Sequence, residues 1–123
     1  MADYTAVFLP GHFYTLQASG TVVGGNVLMV SGSGTVAVAT AAGAGSVCGV
    51  AGHDAVSGGK VTVLSRGIHD LVSQGAIVAG TPVTVGSVNG SVATIGAATF
   101  EKMIGVALTT GVDTALVRIL LFR

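Results

Sequence analysis

Residues 13–66 align with residues 68–122 at an offset of 55, rising to 56 after one inserted residue, and this self-similarity constrains the fold more than any other feature. Leu16, Gly20, Val23, Gly25 and Val30 match Leu71, Gly75, Val78, Gly80 and Val85. Gly34, Val36 and Ala37 then match Gly90, Val92 and Ala93, and Ala41 and Ala42 match Ala97 and Ala98. Farther on, Gly49-Val50-Ala51 matches Gly105-Val106-Ala107, and Val56, Val61 and Leu64 match Val112, Val117 and Leu120. The matches fall in the same order on turn glycines and the apolar runs after them, whereas compositional bias alone would scatter them. A chain built this way is expected to repeat one supersecondary unit of about 55 residues, each copy burying its apolar side against the other.

The unit is a β unit. Twenty glycines are spread along the chain and punctuate short runs rich in Val, Ile and Thr, as expected of many short strands joined by turns. The clearest strands are Val27–Val30, Val36–Val38, Val61–Leu64, Val83–Val85, Val92–Ile95 and Leu116–Leu120, whose β-branched residues suit a pleated, half-buried surface. Ser31-Gly32-Ser33-Gly34 and Gly86-Ser87-Val88-Asn89-Gly90 are expected to turn β-hairpins, because Gly and Asn take the positive φ that tight turns demand. Gly67–Val72 is the best helical candidate, and it is short and weak. Each unit is expected to supply about three strands. The expectation is an all-β fold: a small β-sandwich or barrel of two tandem duplicated units forming a single β domain over 13–123, with residues 1–12 as a short N-terminal arm.

Composition narrows the class of function. Charged residues are 8% of the chain, against an average near 25% for soluble proteins, and five basic residues balance five acidic ones. No basic stripe is available to neutralise a phosphate backbone, so nucleic acid is not an expected partner. With so little charge, neighbouring copies do not repel one another, and a chain that works inside an assembly follows. Repeated glycines interrupt the charge-free run from Phe13 to Gly52, so no stretch reaches the ~20 apolar residues of a membrane helix. The chain is also too short for a porin-like barrel of its own. Met1–Thr5 lacks the basic and apolar regions of a secretory signal, which implies synthesis in the cytoplasm.

The inventory for catalysis is thin. His53-Asp54 and His69-Asp70 are neighbours in sequence, but adjacent residues on a strand face opposite ways, and in a loop they are expected to cap a surface turn. Their counterparts at the repeat offset are Thr109-Thr110 and Tyr14-Thr15, so neither polar pair recurs. Asp3, Asp54, Asp70, Glu101 and Asp113 have no spacing that suggests paired-carboxylate chemistry and read as solvated turn and edge residues. Cys48, the single cysteine, has no partner for a disulfide and no metal-ligand spacing around it, and it reads as a small buried hydrophobe. Lys60, Arg66, Lys102 and Arg118 are expected to blunt exposed strand edges. No enzyme activity, cofactor or metal is expected.

Ser46-Val47-Cys48-Gly49-Val50-Ala51-Gly52-His53-Asp54-Ala55 and Gly59-Lys60-Val61-Thr62-Val63-Leu64 are followed by Gly80-Thr81-Pro82-Val83, Ile104-Gly105-Val106-Ala107-Leu108 and Val117-Arg118-Ile119. Together these resemble the small glycine- and valine-rich head decoration proteins of tailed phages, a family long known only as a conserved domain beside major capsid genes. The resemblance implies a β-rich domain bound to the outer surface of the assembled capsid, with the major capsid protein as partner. It implies stabilisation of the shell and a homo-oligomer, a trimer before a dimer, in the virion. It also implies that an N-terminal segment touches the capsid or a neighbouring copy, which here would be Val7, Phe8, Leu9, His12, Phe13 and Tyr14. Two rivals stand beside it: another virion β-domain from a tail, fibre or baseplate, which the same composition would serve, and a carbohydrate-binding module, which the absence of tryptophan disfavours.

Overall fold

The computed structural model describes residues 13–123. They form ten strands and two single 3-10 turns, with no α-helix among them: β1 (Tyr14–Ala18), β2 (Val27–Gly32), β3 (Thr35–Val38), β4 (Val47–Ala51), β5 (Lys60–Leu64), β6 (Gly67–Val72), β7 (Pro82–Val85), β8 (Val92–Thr94), β9 (Gly105–Ala107) and β10 (Leu116–Leu121). The first five close into a barrel in the order β1-β3-β2-β4-β5, with β5 antiparallel to β1. The last five form a sheet in the order β6-β10-β9-β7-β8. Its outer strands meet at one end, where Ser73 bridges Val92 in parallel.

The two sheets share topology and register. Leu16 faces Val61 across β1 and β5, and Leu71 faces Val117 across β6 and β10. Ala18 lies beside Val36 in parallel, as Ser73 lies beside Val92. The lone bridges Val22 to Ala55 and Ile77 to Gly111 also correspond. Every one of these pairs is related by the offsets of 55 and 56 found in the sequence. Gly49 and Gly105 occupy one such equivalent position, where strands approach too closely for any side chain. A Cβ on Gly49 would stand 2.6 Å from the Leu64 carbonyl oxygen, and one on Gly105 would collide with the carbonyl oxygen of Leu120.

Apolar side chains collect into two clusters. Ala18, Val22, Leu28, Val36, Ala51, Val61 and Val63 fill the interior of the first barrel. The second cluster fills the other sheet with Leu71, Ile77, Val83, Val92, Val117 and Ile119, and it also takes in Val27, Ala39, Ala44, Val47 and Val50 from the first half. Strand side chains alternate between faces, so consecutive buried residues such as Val27 and Leu28 mean that β2 is covered on both sides. One side of β2 lines the barrel and the other packs against the second half. Hydrogen bonds reinforce the junction: Val27 N–H donates to the Gly90 carbonyl, and Gly90 N–H donates to that of Ala39. The Arg123 guanidinium donates to the carbonyls of Ala44, Gly45 and Glu101, joining both 3-10 turns.

Three expectations need correction. Each half carries five strands instead of about three: β4 and β9, which hold the matched Gly-Val-Ala runs, pair with β2 and β7, and β1 and β6 are specified by pairing along β5 and β10 more than by their own composition. Gly67–Val72 is β6 and not a helix, since Leu71 is buried between exposed Asp70 and Val72, a period of two that its partner β10 fixes. Lys60 and Arg118 do not guard edges, because β5 and β10 each pair on both sides.

Candidate functional site

The His–Asp pairs resolve into turn architecture. Thr62 N–H donates to His53 Nε2 at 3.2 Å, so the ring proton sits on Nδ1, which donates to the Asp54 carbonyl at 2.8 Å. At the equivalent place in the second half, Arg118 N–H donates to Thr109 Oγ1 at 3.0 Å. Asp54 Oδ1 accepts the Gly24 N–H at 2.8 Å, and Thr110 Oγ1 accepts the Ala79 N–H at 3.1 Å. Histidine and aspartate in one half therefore do the same backbone-capping work as two threonines in the other. His69 spends a ring nitrogen on the Arg66 carbonyl at 2.6 Å. Among the described residues, no three His, Cys, Asp or Glu side chains come together in a way that would hold a metal ion.

Cys48 is half-buried on β4, with its thiol toward the Leu28 carbonyl. Burial pushes its thiol pKa up, and that of the neighbouring Tyr14 phenol as well. The cysteine is thus a poor nucleophile at neutral pH. Tyr14 packs on the first barrel's core and its hydroxyl donates to the Cys48 carbonyl at 3.1 Å. Phe13 is exposed. Val7, Phe8, Leu9 and His12, the rest of the expected contact segment, lie outside the described residues, as does the arm they belong to.

What the described surface offers is apolar area on rigid β scaffolding. Two places stand out. The first is the pair of turn tips at one end of each half. Val23 and Val56 stand exposed beside a shallow hollow lined by Thr21, Asp54 and Lys60, and their equivalents Val78 and Val112 are exposed too. Isolated exposed valines need no explanation, but the same two exposed at equivalent positions in both halves form a repeated surface feature.

The second is the outer face of β6 and β10. Three cross-strand pairs line it: Ile68 with Leu120, Asp70 with Arg118, and Val72 with Leu116. Ile68 is 59% exposed and Leu116 65% exposed. Arg118 Nε donates to Asp70 Oδ1 at 3.0 Å and its Nη2 to Oδ2 at 3.3 Å, a bidentate pair open to solvent. These hydrogen bonds hold the Asp70 carboxyl below its usual range and raise the guanidinium. Two of the equivalent pairs in the first half, Gln17 with Lys60 and Thr15 with Thr62, are polar, while the residues equivalent to Ile68 and Leu120 are Phe13 and Leu64, both apolar. Reading the strands singly misses this face. Laying the two halves over each other exposes it, as Gln17 against Val72 and Lys60 against Leu116.

No protein-family model matches the sequence, and no curated protein matches it. A solved structure does resemble it: the crystal structure of the head fibre gp8.5 N base in bacteriophage phi29 superposes with a TM-score of 0.64, over 89% of this chain and 92% of that one. At 17% identity, what the two chains share is the fold.

Proposed function

We propose that the chain is a structural protein of a phage virion, carried on the outside of the head and bound there to the major capsid protein, and that its two halves are tandem copies of one β module. The observation that carries this reading is the superposition on a head fibre base across nearly the full length of both chains. The nearly uncharged exterior and the threonine-for-histidine exchange at the turn caps support a protein of contact and not of catalysis. The repeated valine tips offer two like contacts per chain, suited to a lattice of repeating subunits, and on this reading Val7, Phe8, Leu9, His12, Phe13 and Tyr14 would add a further one. A protein that binds only the assembled shell stabilises that state in proportion to its differential affinity, and many weakly bound copies add up.

The superposed structure favours a second form of the same reading, in which the chain is the base of a head fibre and not a cement. Purified protein mixed with undecorated heads and sedimented separates the two. A cement co-migrates with the heads in hundreds of copies and raises their rupture temperature. A fibre base co-migrates in fewer copies and leaves the temperature unchanged. Failure to co-migrate contradicts both.

A further inference from the structure

We infer that the outer face of β6 and β10 is a self-association surface, taking a second copy of this chain across a two-fold axis. The face is self-complementary in charge and in size. Its centre is a side-by-side acid and base, Asp70 and Arg118, and an apolar pair flanks them on each side, Ile68 with Leu120 and Val72 with Leu116. An axis lying between two copies and running along the strands sets each Arg118 over the other copy's Asp70. The same rotation sets Ile68 over Leu120 and Val72 over Leu116. Both charges, already paired within one copy, then gain a second opposite partner as the apolar flanks lose water, and that partner offsets the cost of desolvating them. Leu108, next to β9, widens the apolar area, with its N–H donating to the Arg118 carbonyl at 2.8 Å.

A foreign partner would have to match this alternation, whereas a second copy matches it by symmetry. The contrast between the halves argues against a mere by-product of the fold. At the same register the first half pairs Gln17 with Lys60, and has Gly52 where the second has Leu108. The fold therefore tolerates polar residues or glycine at these positions, and the second half carries Val72, Leu116 and Leu108 there instead. The inference does not rest on attachment to a head: a chain that pairs with itself yet ignores heads would refute that reading alone.

Sedimentation equilibrium of the full chain across a concentration series tests it. A reversible dimer is expected. Giving the second half the first half's residues, Val72→Gln with Leu116→Lys, is expected to raise the dimer dissociation constant by about tenfold or more. The thermal transition should be retained, because that pair already stands at this register in the same molecule. A second, independent arm uses charge: Asp70→Arg and Arg118→Asp are each expected to weaken self-pairing, and an equimolar mixture of the two variants to form a mixed dimer. A chain that stays monomeric at every concentration, an assembly of three copies, a dimer that Val72→Gln/Leu116→Lys leaves intact, or charge variants that do not pair on mixing would each overturn the inference.

Discussion

His53 takes the Thr62 N–H in the first half and Thr109 takes the Arg118 N–H in the second, so one backbone donor is satisfied by two unlike side chains. His53→Thr should therefore change stability by less than about 0.5 kcal/mol, while His53→Ala, which leaves the donor to water, should cost about 1 kcal/mol in denaturant unfolding. A larger loss for threonine than for alanine would contradict the capping role. Gly49 and Gly105 make the opposite case, since a backbone carbonyl and not a flexible side chain fills the space. Gly105→Ala should cost at least about 2 kcal/mol, and Gly49→Ala a comparable amount, by the same measurement. The sequence marked both glycines as repeated but gave no reason for them, because the carbonyl that forbids a side chain belongs to a strand about fifteen residues farther on. It likewise displayed the His–Asp pairs without saying what they bond.

At the scale of the strand, alternation made the hairpins and the final strands legible: Val117, Ile119 and Leu121 point inward, and Leu116, Arg118 and Leu120 outward. β6 was not legible, since a six-residue segment opening on glycine carries too little pattern to tell strand from helix without its neighbour. The pairing of β6 with β10 brings together Asp70 and Arg118, 48 residues apart, and this contact carries a pH signature. The folded-state pKa of Asp70 lies below its unfolded value. Whatever stability the pair contributes is thus present at neutral pH and lost as pH falls through and below the ordinary carboxylate range. Arg118→Thr, which copies Thr62 of the first half, should flatten that part of the thermal-midpoint profile by lowering its neutral end slightly, as befits an exposed pair, while the acid end coincides with the parent's. A profile as steep in the variant as in the parent would remove the pair as the cause.

Across the whole molecule, the sequence indicated two β units but led to the expectation of one common interior, whereas the first half closes over a cluster of its own. The sequence did not indicate that one closes fully as a barrel, nor that the second cluster reaches across the junction through Val27, Val47 and Val50. Those residues read as ordinary strand positions until both faces of β2 are seen to be covered. Because the junction is apolar and stapled by Arg123, the halves should unfold together. Calorimetry should give one transition, and Val27→Ala should lower it as a unit, by about 2 kcal/mol. Two resolved transitions would mean independent halves. The proposed attachment to an assembled shell draws on the nearly uncharged exterior, the repeated valine tips and the fold shared with a head fibre base. The most direct test is to titrate labelled protein against intact heads and, separately, against unassembled major capsid protein. Saturable binding to heads at a fixed number of copies, with little or none to free subunits, is the expected result. Equal binding to both, or none to heads, would contradict the account.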